Sequence, residues 1–195
     1  MHSFYMVRHG KSELEGDEAA RPLMAEGLVQ ARQVSDKIAS LTPSVVAIYS
    51  SPFTRARQTL EPLAEALGLP ITVVDELREK HMSDEPIPDL PAARSHMWED
   101  FDFRLTGGET NAEAQVRATT ALKKIQSAHP SEAIAVVSHG TLMGLILNTY
   151  DSSFGYEEWR AITMPDIFRV DVPLLGAPVV EHIGCDEIET FKVKG

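Results

Sequence analysis

The stretch FYMVRHGKSE (Phe4–Glu13) carries four apolar or aromatic residues straight into Arg8, His9 and Gly10, then into a polar, charged run. A buried strand ending this way is either an ordinary strand reaching solvent or the rim of a site that holds something negative. The neighbouring segments bear on the choice. SVVAIYS (44–50), ITVV (71–74) and AIAVVS (133–138) are short apolar runs rich in β-branched residues, the composition of strands covered on both faces. Between them, Gly27, Ala31, Val34, Ile38 and Leu41 keep a helical spacing, as do Ala56, Leu60, Leu63, Ala64 and Leu67. Gly68 and Pro70 supply a stop signal for the second helix, and Pro62 inside it predicts a kink or a restart. Thr110 and Glu113 fit a capping box that opens a third helix, and TLMGLILNTY (141–150) reads as a fourth.

Strands alternating with helices specify an α/β fold: a three-layer α/β/α arrangement with a mostly parallel central sheet and helices on both faces. IFRVDV (167–172) and PVVEHIGC (178–185) read as late strands toward an edge. The segment 80–107, with Pro86, Pro88, Pro91 and Gly107, is predicted to be irregular and is long enough to cover a substrate. With no repeat and no linker, residues 1–195 form a single domain.

Composition narrows the function. The chain is 43% hydrophobic and 24% charged, as soluble globular proteins are, and has no apolar run long enough for a membrane span. Its first residues lack the basic and apolar regions of a signal peptide, and the one cysteine, Cys185, excludes an intrachain disulfide. Both features fit a reducing cytoplasm. A formal net charge of -11 argues against nucleic acid as partner, whereas a small phosphorylated substrate answers to local charge. Nothing in the pattern specifies an oligomeric state.

In open α/β sheets, ligands collect beyond the carboxyl ends of the strands. Arg8-His9-Gly10 follow the first strand, Arg55 and Arg57 the second, Glu76, Glu79 and His81 the third, and His139-Gly140 the fourth. Guanidinium groups suit a phosphoryl dianion, because their paired donors follow charge onto its equatorial oxygens. With one protonated histidine added they could neutralise a monoester dianion, and a helix starting after His139 would add its N–H groups. A neutral imidazole, fixed in one tautomer, is a competent nucleophile toward phosphorus, and His9 is the candidate. A carboxylic acid must protonate the alkoxide, with Glu79 favoured over Glu76. This chemistry calls for no metal and no cofactor.

The ordered set VRHGKS, SSPFTRARQT, LRE (77–79), GGET (107–110) and VSHG (137–140) resembles the histidine phosphatase superfamily, which includes the phosphoglycerate mutase-like phosphatases. The resemblance runs from about residue 4 to 150. It implies a metal-independent phosphoric monoester hydrolase with His9 as phosphorylated nucleophile, Arg8, Arg55 and His139 as phosphate pocket, and Glu79 as proton donor. Arg55 is preferred to Arg57 on the same ground. Leu23, Gly27, Gln30 and Ala31 match a family helix motif, with Met24 in place of its usual threonine. The candidate substrate-contacting set is Arg8, Ser12, Glu15, Arg55, His139 and Gly140.

Glu15 stands where many relatives carry asparagine, amid Glu13, Asp17 and Glu18. An acidic entrance predicts a substrate whose alcohol part is neutral or cationic. A phosphoglycerate mutase-type phosphotransferase and a phosphoprotein-directed member are the rival functions. His81 and His96 are expected to be loop histidines, and His2, His129 and His182 have no assigned role. Trp98 and Phe101 either wall the pocket or pack a satellite core, and Glu109 and Thr110 serve the helix start.

Overall fold

The computed structural model describes residues 1–185; residues 186–195 of the expected domain lie outside the described part. Six strands form one sheet: β1 (His2–Arg8), β2 (Val45–Ser50), β3 (Ile71–Val73), β4 (Ala133–Ser138), β5 (Asp166–Val172) and β6 (Val179–His182), in the order β3-β2-β4-β1-β5-β6. The first four run parallel, while β5 is antiparallel to both β1 and β6. The late strands thus divide: β6 is an edge, but β5 is paired on both sides and buried on both faces, with Phe168 and Val170 in one core and Ile167 in the other.

Side-chain alternation along β1 and β4 builds both outer layers. Phe4, Met6, Ile134 and Val136 face α4 (Asn111–Ala128) and α5 (Gly140–Tyr150). Tyr5, Val7, Ala135 and Val137 face α1 (Ala25–Ala39) and α2 (Thr54–Leu67). A continuous apolar run in the sequence is therefore two opposed core faces interleaved at period two.

Two predicted details change. Helix α2 continues through Pro62 without a restart. Pro62 is half-buried within it, and the Gln58 carbonyl forgoes its N–H partner without ending the helix. Segment 80–107 also contains a helix, α3 (Leu90–Glu99), capped by Asp89, whose carboxylate accepts from the Ala92 N–H at 3.0 Å. Pro91 lies in its first turn, where a missing N–H breaks nothing. The excursion closes at a neck: Glu109 N–H donates to the His81 carbonyl at 2.9 Å, and Asp84 N–H to that of Thr106 at 2.9 Å. A short sixth helix, α6 (Tyr156–Ala161), was not foreseen; it packs on α5.

Candidate active site

Register places the site. Arg8 is the sheet partner of Ser138, and the His9 N–H donates to the Ser138 carbonyl at 3.2 Å. His9 and His139 therefore leave neighbouring strands side by side, with ring centroids 5.1 Å apart. Strand β2 ends level with them, because the Ser51 N–H donates to the Val137 carbonyl at 3.0 Å. Helix α2 then starts close enough for Arg55 to reach back to His9.

The His9 ring is buried and held at both nitrogens. Nδ1–H donates to the Gly10 carbonyl at 2.7 Å, and Nε2 accepts from Arg55 Nε at 3.1 Å. Burial, with the charges of Arg55, Arg8 and Arg21, lowers its pKa to about 3 despite the opposing Gly10 hydrogen bond. The ring is thus neutral at pH 7, with its lone pair on Nε2. His139 is fully buried, and burial followed by the nearness of His9, Arg55 and Arg8 pushes its pKa well below the ordinary value. Its Nε2 lies 2.7 Å from Ser51 Oγ, which accepts the Phe53 N–H at 3.3 Å. With the Ser51 hydroxyl donating to Nε2, the proton of His139 sits on Nδ1, a buried atom without a partner. His139 enters as a neutral donor, not as the cation expected from sequence.

Arg8 donates through Nη1 to the carbonyls of Ile162 at 2.7 Å and Thr163 at 3.2 Å, while its buried Nε has no partner. Gly140 permits this position, since a Cβ there would meet Arg8 Cζ at 3.0 Å. Arg55 also holds the loop after β1: Nη1 donates to the Glu18 carbonyl at 2.6 Å, and Nη2 is 3.5 Å from the Glu18 carboxylate. Arg57 is exposed, and its guanidinium reaches Thr54 Oγ1 at 3.4 Å, away from His9.

Glu79 lines the same cleft; Glu76 does not. The Glu79 carboxylate accepts from the N–H groups of Thr141 at 3.1 Å, Leu142 at 2.9 Å and Lys80 at 2.8 Å. The first N–H groups of α5, expected to meet phosphate, instead hold this side chain. Ser12 lines the cleft and bridges to Leu23, anchoring the loop.

Glu15 is exposed and absent from the cleft lining, which takes Glu18 instead. Glu18 is engaged by Arg55 and Arg21, each at 3.5 Å. The acidic entrance expected from sequence is therefore turned outward or neutralised. Sequence reasoning missed Arg21, Ser51, Lys80, Arg94, Arg117 and Trp159, all of which line or brace the cleft. Ser51 was legible in outline, as the residue just past a strand end. Arg94 and Trp159 ride on helices the sequence did not disclose. His81 lines the cleft and pairs with Asp84 at 2.8 Å, whereas Trp98 and Phe101 pack against the core.

A profile of the histidine phosphatase superfamily (branch 1) matches residues 4–168. The chain belongs to that superfamily. "Probable phosphoglycerate mutase GpmB" of Salmonella choleraesuis is 30% identical over 158 aligned positions, covering 74% of this chain and 73% of the relative. The protein of the same name from Serratia proteamaculans is 28% identical over 170 positions, covering 80% and 78%. Among solved structures, Bacillus stearothermophilus YhfR superposes with a TM-score of 0.75 at 21% identity, covering 94% of this chain and 96% of that one. A mycobacterial glucosyl-3-phosphoglycerate phosphatase in complex with VO3 gives 0.75 at 21%, covering 92% and 97%. Likeness at this identity establishes the shared fold.

Proposed function

We propose that this member of the superfamily is a metal-independent phosphatase that hydrolyses a small phosphomonoester through phosphohistidine. The observation that carries the reading is the His9 Nε2 lone pair, with Arg8 and Arg55 beside it and Glu79 on the same cleft. Nε2 attacks phosphorus, the bond from phosphorus to the alcohol oxygen breaks, and Glu79 in its acid form gives that oxygen a proton. Water then attacks the phosphohistidine, Glu79 takes back a proton, and the N–P bond breaks to release inorganic phosphate. Arg8, Arg55 and the Nδ1–H of His139 offset charge on the equatorial oxygens, which is the task a metal would otherwise perform. Ser12 and Gly140 would complete the phosphate contacts, and segment 80–107 would cover the substrate.

Structural relatives include proteins named as phosphatases of glucosyl-3-phosphoglycerate and phosphoserine, and one named "putative alpha-ribazole-5'-P phosphatase", which supports small monoesters as the substrate class. The names of the GpmB relatives favour a second reading, a mutase in which a substrate hydroxyl takes water's place as acceptor. No helix among the described residues is long and apolar enough to cross a membrane. A cytoplasmic location agrees with the lone cysteine.

The test is a panel of phosphomonoesters with the His9→Ala variant as control, plus labelled phosphate trapped on His9 by an acid-free quench. Release of phosphate and a His9-dependent label are expected. Isomerisation of phosphoglycerate without net phosphate release would favour the mutase; activity surviving in His9→Ala would defeat both.

A further inference from the structure

The phosphate centre opens sideways. A cavity of about 440 Å³ contains His9, Arg55 and Glu18, and a second of about 620 Å³ extends toward α3 and α6. Both include Arg8, Glu79, Arg94, Gly140 and Thr141, so they meet at the proposed acid. The second is of the size that accepts a small organic ligand.

Its far wall is apolar and firmly set. Trp159 donates from Nε1 to the Gly140 carbonyl at 3.1 Å. The ring lies so close to α5 that a Cβ on Gly144 would sit 2.6 Å from Trp159 Cδ1. Trp98 backs it at 5.9 Å between centroids, and Tyr156, Pro91 and Ile162 continue the wall.

Two arginines line this compartment in addition to Arg8. Arg160 is paired with Glu157 at 3.0 Å. Arg94 forms no ion pair and no hydrogen bond among the described residues, and its Nε is buried. Its guanidinium lies over the Trp159 ring, 5.6 Å from the centroid. It is also near enough to Arg8 for their charges to oppose each other. A half-buried guanidinium that has an aromatic face but no anion to answer it, beside a second cation, is costly without a ligand.

We propose that this compartment receives the alcohol half of the substrate, and that Arg94 binds a further anionic group carried there on an apolar, ring-sized body. The proposal rests on the phosphatase reading for the position of the phosphoryl group. It replaces the neutral or cationic alcohol expected from Glu15, a residue the fold turns away.

A matched pair of esters tests it: 4-carboxyphenyl phosphate and its uncharged isostere 4-carbamoylphenyl phosphate. The wild-type protein should favour the carboxylate in kcat/KM by about tenfold, the worth of one charge-assisted contact. In Arg94→Met that ratio should fall to about one through KM, with Arg94→Lys intermediate. A wild-type preference for the carbamoyl ester, or a ratio untouched by Arg94→Met, overturns the proposal. Quenching of indole fluorescence by the same two esters, measured in His9→Ala, gives the binding preference without turnover. If neither ester is hydrolysed by the wild type, the catalytic reading fails, while the fluorescence ratio still decides the role of Arg94.

Discussion

Lys80 is buried beside Glu79, and among the described residues the one hydrogen-bond partner of its ammonium group is the Met97 sulfur at 3.1 Å. A thioether is a weak acceptor, so this cation lacks the oxygen partner that would offset its lost hydration. Burial lowers its pKa to about 8 against the attraction of Glu109 and Glu79. Since the folded value lies below the unfolded one, folding opposes protonation. The penalty is fully present below about pH 8, and it shrinks as pH rises toward the ordinary lysine value of about 10.4. Lys80→Met should therefore raise stability at pH 7 by an amount on the order of 1–3 kcal/mol, with the gain fading above pH 10. Urea unfolding at the two pH values checks this; a variant no more stable than wild type at pH 7 refutes it. The sequence could not disclose such a site, because burial of one lysine depends on which side of the Met97 helix it meets. Arg55 and Arg57 are the opposite case. Their spacing sends them to different faces of α2, and the position expected to serve the pocket is the one whose Nε reaches His9.

At the scale of elements, α4 and α5 jointly hold the proposed acid. Helix α5 grips the Glu79 carboxylate through its first turn. From α4, Arg117 donates to the carbonyls of Glu76 at 2.6 Å and Arg78 at 3.2 Å, and binds both carboxylate oxygens of Glu109 at 2.8 Å. Glu109 in turn accepts the His81 N–H at 3.1 Å. Burial alone would raise the Glu109 pKa, but Arg117 and the His81 N–H outweigh it and leave the carboxylate favoured. Residues 76–81 are thus clamped from both ends around Glu79, making Arg117 a positioning residue. Arg117→Ala should cut turnover of an alkyl phosphate by about tenfold or more, while p-nitrophenyl phosphate, whose leaving group needs no proton, suffers much less. Equal losses on both esters would mean a general structural defect. The helix start itself was legible, since Thr110 and Glu113 make the expected reciprocal cap. The contact from Glu109 to the His81 N–H was not, since it joins residues 28 apart in sequence that become adjacent only after folding. Helix α3 was hidden by its prolines and α6 by its brevity, so the compartment they wall had no signature in periodicity.

For the whole molecule, the charge distribution is divided. The chain carries a formal net charge of -11, yet its cleft presents Arg8, Arg21, Arg55 and Arg94 against Glu18 and Glu79. Composition alone reports the first quantity and predicts repulsion of a phosphate dianion; only the convergence of strand ends reveals the second. The fold was readable from alternation of buried strands and helices because both signals are local. The sign of the field at the cleft is not local, since it depends on Glu15 facing solvent while Glu18 is drawn between two arginines. The two fields make opposite predictions about salt. If the distant acidic surface governed encounter, screening would relieve repulsion, and kcat/KM for a dianionic ester would rise with ionic strength. If the focused positive cleft governs, added salt weakens capture. The geometry favours the cleft, because Arg8, Arg21, Arg55 and Arg94 line the surface a phosphate must enter, and charges closer than a Debye length of about 10 Å at 0.1 M salt escape most screening. We expect kcat/KM to fall severalfold as potassium chloride is raised from about 20 mM to about 300 mM, with kcat nearly constant. Initial rates across that series decide it: a rise in kcat/KM would place the acidic surface, and not the arginine-lined cleft, in control of substrate capture.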